Sequence, residues 1–192
     1  MVRGARLFML ALVLCMLSCR DAGVTAPEAG SAETIEAQHA AKPDPADEVG
    51  DLDRVARYST PPGVRGVERA TAVIGAAGGS VRLRDFEVVV PAGAVSGDVT
   101  FEITILPEPA RQAHAWASFK PHNQQFAVPI TLRVPYQTTE SAGAADAHVL
   151  WRNKGMWEEL PTTITTDGRL ETQTDHFSVY ATQRRGITMV GG

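Results

Sequence analysis

The stretch TDHFSVYATQ, residues 174–183, brings together residue types that could do covalent chemistry. His176 stands two residues before Ser178, with the Phe177–Ser178 bond between them. Side chains on an extended strand alternate faces with a period of two, so imidazole and hydroxyl would stand side by side. The Ser178 hydroxyl would attack the carbonyl carbon of Phe177 while His176 takes its proton. The acyl group would then move from nitrogen to oxygen, and water would hydrolyse the ester with His176 assisting. Proximity alone is insufficient, because an unstrained amide is a poor electrophile and the oxyanion needs donors. The same residues also read as a plain closing strand. In that reading Phe177, Val179 and Ala181 fill a core, while His176, Ser178, Tyr180 and Thr182 face outward. The sequence leaves both readings open.

Other groupings carry less chemistry. His114, His122 and His148 are scattered without a recognisable metal-ligand spacing, so no metal site is expected, and no cofactor. GAAGGS is followed by no lysine and precedes a strand, so it reads as a turn and not a phosphate loop. Glu158 and Glu159 are adjacent and would point to opposite faces of a strand, which makes a poor acid–base pair. No Gly-x-Ser-x-Gly elbow occurs.

The elements that must position His176 and Ser178 begin after a long N-terminal region. Arg3 and Arg6 precede the uncharged apolar run 7–17. This run is shorter than the roughly 20 residues of a membrane-spanning helix and has the form of a secretory signal. Cys15 follows the bulky Leu14, whereas Cys19 follows Met-Leu-Ser, the small-residue context of a bacterial lipobox. Residues 1–18 are therefore expected to be a lipoprotein signal peptide, with Cys19 lipidated and anchoring the chain to a membrane. Arg20 stands where inner-membrane retention in some bacteria uses aspartate, which leans towards the outer membrane of the envelope. With its one mature thiol acylated, the chain has no pair for a disulfide, and its fold must rest on a packed core.

The 192 residues carry a formal net charge of −4, with 18 basic and 22 acidic side chains. Loss of the signal removes two arginines and makes the mature chain more acidic. No basic cluster marks a nucleic-acid face, since Arg184 and Arg185 are only a pair, so nucleic acid is not expected as a partner. Residues 19–69 are rich in Ala, Glu, Asp and Pro and bury too little to order the chain, so they read as a flexible acidic tether. Within it, Val49, Leu52, Val55 and Ala56 could line one face of a short helix ended by Pro61-Pro62-Gly63.

From about residue 70, alternation takes over. Val99, Phe101, Ile103 and Ile105 would share one face, and Phe126, Val128, Ile130, Leu132 and Val134 another. Pro129 lacks an amide donor and belongs at an edge or bulge. Shorter strands follow in AHVLWRN, MWEELPT, RLETQT and HFSVYAT. Asn153-Lys154-Gly155 and Asp167-Gly168 are hairpin signals. Many short strands with few helical patterns predict an all-β antiparallel sandwich over 70–183, with a tail at 184–192. Trp151 and Trp157 should join the core or its rim, and their indole N–H groups will need partners there.

These residues resemble a known family. Gly78, Gly79, Pro91, Gly93 and Ala94 in GAAGGSVRLRDFEVVVPAGAV are similar to the opening of a ZU5 domain. Phe119, Pro121, Phe126, Pro129, Ile130, Thr131 and Leu132 are similar to its middle, and Trp151, Trp157 and DHFSVYA to its end. Many bacterial members have glycine near His122-Asn123. The resemblance spans roughly residues 70–182 and implies a β-sandwich. Animal members bind cytoskeletal or signalling proteins, a task that family membership alone does not transfer. Some members that carry death domains cut themselves within His-Phe-Ser. The resemblance thus implies either a binding or scaffold module with an unknown protein partner, or a self-processing domain.

Overall fold

The computed structural model describes residues 51–63, 66–108 and 113–186; the signal, Cys19, Arg20, most of the tether and the end of the tail lie outside them. The fold is all-β, two antiparallel sheets packed face to face. Its strands are β1 (Glu68–Ile74), β2 (Gly79–Leu83), β3 (Phe86–Val90), β4 (Val99–Ile105), β5 (Trp116–Lys120), β6 (Gln125–Pro135), β7 (Val149–Asn153), β8 (Met156–Leu160), β9 (Thr163–Ile164), β10 (Arg169–His176) and β11 (Val179–Thr182). One sheet has the order β1-β4-β5-β11-β7-β8 and the other β2-β3-β6-β10-β9.

Local chemistry sets the turns. Lys154 and Gly155 both have positive φ, 47° and 85°, giving the two-residue primed turn whose twist matches the β7–β8 hairpin. Before β10 the turn is of another kind: Gly168 N donates to Thr165 O at 3.1 Å, and Gly168, alone in the turn at positive φ (79°), returns the chain to β10. Gly93 sits at φ 81° and closes the turn opened by Pro91, with Ala94 N donating to Pro91 O at 3.2 Å. Gly78 has φ 79°, and a Cβ there would lie 2.5 Å from the carbonyl oxygen of Val90. The paired glycines therefore let the β1–β2 turn press against the Pro91 turn. Asn123 takes up φ 60°, a left-handed conformation that asparagine tolerates.

Between the sheets lies an aromatic core of Phe86, Phe101, Phe119, Phe126, Phe177 and Tyr180, packed against Ile130, Leu132, Val134 and Leu170. The alternation of β4 is as expected, with Phe101, Ile103 and Ile105 buried. In β6 it holds for Phe126, Ile130, Leu132 and Val134 but fails at Val128, which is 40% exposed. The reason is a bulge: β10 residue Thr174 faces Ile130 whereas His176 faces Gln125. Pro129 lies in the extra length of β6, at the irregularity that its missing amide predicts.

A second apolar cluster covers the outer face of the six-stranded sheet: Val55, Trp116, Leu150, Trp157, Val179 and Ala181, with Leu52 and Leu106 against it. Here the tether reading of 19–69 needs correcting, because residues 51–59 are part of the domain. They form no helix; after a turn in which Val55 N donates to Leu52 O at 3.0 Å, they run as a strap with bridges Val55↔Gln183, Arg57↔His114 and Tyr58↔Thr139. Ala56 donates to Thr182 O at 2.8 Å and accepts from Ala115 N at 2.8 Å, and Arg184 N donates to Arg54 O at 2.7 Å. Val55 and Ala56 are fully buried. Trp157 Nε1 donates to the Asp51 carbonyl at 2.5 Å, which supplies one of the indole partners expected. β1 likewise begins at Glu68, slightly before the boundary drawn from composition.

Candidate functional site

HFSVYAT is not one strand. β10 runs through Asp175 to His176, the chain crosses between the sheets at Phe177 and Ser178, and β11 starts at Val179. The apolar and polar assignments shift accordingly. Phe177 and Tyr180 enter the main core, whereas Val179 and Ala181 enter the strap-covered cluster. Tyr180 and Thr182, expected outside, are fully buried. The simple period-two argument that set His176 beside Ser178 therefore fails, because the crossover interrupts the strand.

The crossover is held by side-chain hydroxyls. Tyr180 Oη donates to the His176 carbonyl at 2.8 Å and Thr174 Oγ1 to the same oxygen at 3.0 Å. Burial pushes the Tyr180 phenol well above its ordinary range, so it stays a donor. Ser178 Oγ donates to the Arg152 carbonyl at 3.0 Å, and Ser178 O accepts from Phe119 N at 2.9 Å. His176 Nδ1 lies 2.8 Å from Asp175 Oδ1. That hydrogen bond, with a second from Gln125, holds the Asp175 carboxyl below its usual range. His176 Nε2 is buried without a hydrogen-bond partner, as is Trp151 Nε1, and the two rings meet nearly edge to face at 4.6 Å. Phe177 packs between Phe101, Phe119 and Phe126, at 5.8, 6.0 and 5.1 Å between ring centroids.

The crossover therefore carries an imidazole oriented by Asp175 and, two residues on in sequence, a hydroxyl that is hydrogen-bonded to the Arg152 carbonyl. The two converging donors serve the carbonyl of His176, one residue before the one that an N-to-O shift would polarise. Sequence reasoning missed Thr174, Asp175, Tyr180 and the Arg152 carbonyl. Thr174 and Tyr180 flank His176 in the quoted stretch, yet their convergence depends on the crossover.

The histidines weighed for a metal go elsewhere. Glu108 accepts from Trp116 Nε1 and from His114 Nδ1, the latter at 2.8 Å, while Arg57 Nε reaches His114 Nε2 at 3.4 Å. This group borders a cavity of about 20 Å³ also lined by Tyr58 and Ile105, room for about one water. His148 Nδ1 instead faces the Leu160 carbonyl at 3.4 Å. Among the described residues no three His, Cys, Asp or Glu side chains are grouped to hold a metal. Glu158 and Glu159 diverge, to Asn153 and to Gln183.

On the outer face of the five-stranded sheet, Glu87 Oε2 sits between Arg133 Nη1 at 3.0 Å and Arg169 Nη1 at 2.6 Å. Arg133 also meets Glu171 at 2.7 Å, and Arg169 meets Asp167 at 2.5 Å. For Glu87 burial acts to raise the pKa, but hydrogen bonds from Arg169 and Arg133 overcome it and leave the group lowered. Hydrogen bonds from Arg169 and then Thr165 bring Asp167 down to about 2. A carboxyl lowered on folding stabilises above its unfolded pKa, and this contribution disappears as pH falls through the folded value. Stability should therefore decline from about pH 5 towards about pH 2. Arg169→Met should flatten that decline, measured as urea midpoints at about pH 6 and pH 3; an unchanged difference between the two would show that the network does not report on folding.

The class defined so far is an antiparallel β-sandwich with a hydroxyl-clamped crossover between its sheets. No protein-family model matches the chain, and a search of curated proteins finds no relative. Among the described residues no helix is long and apolar enough to cross a membrane.

Proposed function

We propose that this chain is a lipid-anchored protein of the bacterial cell envelope, attached through Cys19, whose ZU5-like sandwich serves as a binding or scaffold module. The lipobox around Cys19 supports the anchor, and Arg20 favours the outer membrane. The observation that carries the module reading over self-processing is the bonding of the crossover. Ser178 is engaged by the Arg152 carbonyl, and the two hydroxyl donors serve the His176 carbonyl and not that of Phe177. Such a crossover is clamped for permanence. Crosslinking in intact cells, followed by isolation through the native anchor, should recover the same envelope protein repeatedly, and Cys19→Ser should release the chain from the membrane fraction. Recovery of no partner would remove the module reading.

One observation favours the alternative, self-processing at Phe177–Ser178. Asp175 orients His176 through Nδ1 and leaves Nε2 unpartnered, two residues from a serine. Intact-mass spectrometry decides between them. The module reading expects a single mass after prolonged incubation; the alternative expects two fragments meeting at Phe177/Ser178, restored to one by Ser178→Ala.

A further inference from the structure

One edge of the five-stranded sheet is only half used. β9 pairs with β10 at Leu170↔Ile164 and Glu171↔Thr163 and then ends, whereas β10 continues to His176. Arg169 turns its carbonyl to this side, accepting from Thr165 N at 2.9 Å. Backbone groups alternate along an antiparallel strand, so the N–H and C=O of residues 171, 173 and 175 point the same way. Glu171 meets Thr163. Among the described residues, Gln173 and Asp175 meet no backbone partner there. The chain that would have extended β9 departs at Pro161, which has no amide hydrogen for a ladder. Its carbonyl instead accepts from Thr172 Oγ1 at 2.7 Å. Where the two chains part, a groove of about 500 Å³ opens between residues 161–163 and 171–173.

We propose that this groove receives an extended, basic segment of a partner protein, added as a strand to β10. The proposal rests on the module reading and names its contact surface. In strand addition the backbone bonds supply the affinity, and side chains at alternate positions supply the selectivity. Here those alternate positions are Glu171, Gln173 and Asp175. The two carboxylates already have partners, Arg133 and His176, but their side chains remain 30% and 50% exposed and can accept further donors. A lysine or arginine at alternate positions of the incoming strand meets them. The intervening Thr172 and Thr174 are buried, which suits small β-branched residues on the partner's inward side.

A second copy of this chain is the wrong occupant. Antiparallel self-pairing about Gln173 would place Glu171 opposite Asp175 twice, and like charges directly opposite destabilise a pair. The open length from Gln173 to His176 is about 13 Å, so the contact is small and exchanges readily.

The test uses the full chain, isotope-labelled, with the peptide acetyl-Thr-Lys-Val-Lys-Thr-Lys-amide and its counterpart with glutamate for lysine. At a few millimolar, the lysine peptide should slow amide exchange of Gln173 and Asp175 at least tenfold and the glutamate peptide should not. Asp175→Lys, an exposed position, should abolish the preference. Equal slowing by both peptides overturns the charge-selected partner, and protection that spares Gln173 and Asp175 overturns the groove. Crosslinking in cells separates this from the broader reading. If wild type and Asp175→Lys capture the same envelope protein equally, the groove fails and the module stands; if neither captures any, both fall.

Discussion

Val55→Asp is expected to lower the folding free energy by at least about 4 kcal/mol, most of the stability of a domain at the low end of the usual range of roughly 5–15 kcal/mol. Val55 is 1% exposed and sits among Trp116, Leu150, Trp157, Val179 and Ala181. Losing its burial costs roughly 1.5–3 kcal/mol. An aspartate in the same place adds the larger cost of a carboxylate among apolar side chains. Val55→Ala, which only removes methyl groups, should cost roughly 2 kcal/mol. Urea unfolding followed by tryptophan fluorescence reads both, since Trp116 and Trp157 line the cluster. A loss below about 1 kcal/mol for the aspartate variant would mean that the strap does not dock and that the outer face of the six-stranded sheet is covered by something else.

Phe177→Ala should cost about 3–5 kcal/mol. Its ring touches those of Phe101, Phe119 and Phe126, contributed by β4, β5 and β6, and so packs against both sheets. Truncation would empty a site walled by rigid rings that collapse poorly. Phe177→Leu keeps most of the volume and should cost less than about 1.5 kcal/mol. The contrast between the two variants in urea midpoint checks the claim; similar midpoints would place the ring outside the core. Phe177 also links packing to chemistry, because its carbonyl is the one that self-processing would attack. A side chain gripped this firmly restrains the peptide that follows it.

The fold was legible in the sequence wherever one local signal had one structural solution. Alternation in β4, the Lys154-Gly155 and Asp167-Gly168 turns, and the displaced Pro129 all emerged as their residue types require. Legibility stopped where burial depends on distant segments. Val55 and Ala56 read as one face of a short helix within an acidic linker, because the sheet face they cover is assembled from the distant β5, β7, β8 and β11. The quoted VYAT has apolar side chains on both faces since β11 is central in its sheet, with core on one side and strap on the other. Period-two reasoning presumes one wet face, and so it turned Tyr180 and Thr182 outward. The candidate site shows the same division. His176 and Ser178 stand out by type, whereas the hydroxyl clamp of Thr174 and Tyr180 exists only because the chain changes sheets between them.

The strap has a mechanical corollary. Arg54 and Arg184 are joined backbone to backbone, and Val55 bridges Gln183, so the incoming and outgoing ends of the domain lie side by side. A pull applied between residues 51 and 186 would be borne first by this short pairing. The aromatic core lies off the load path. Under tension the domain would shed its strap, baring Trp116 and Trp157, before the strands that frame the crossover felt any strain.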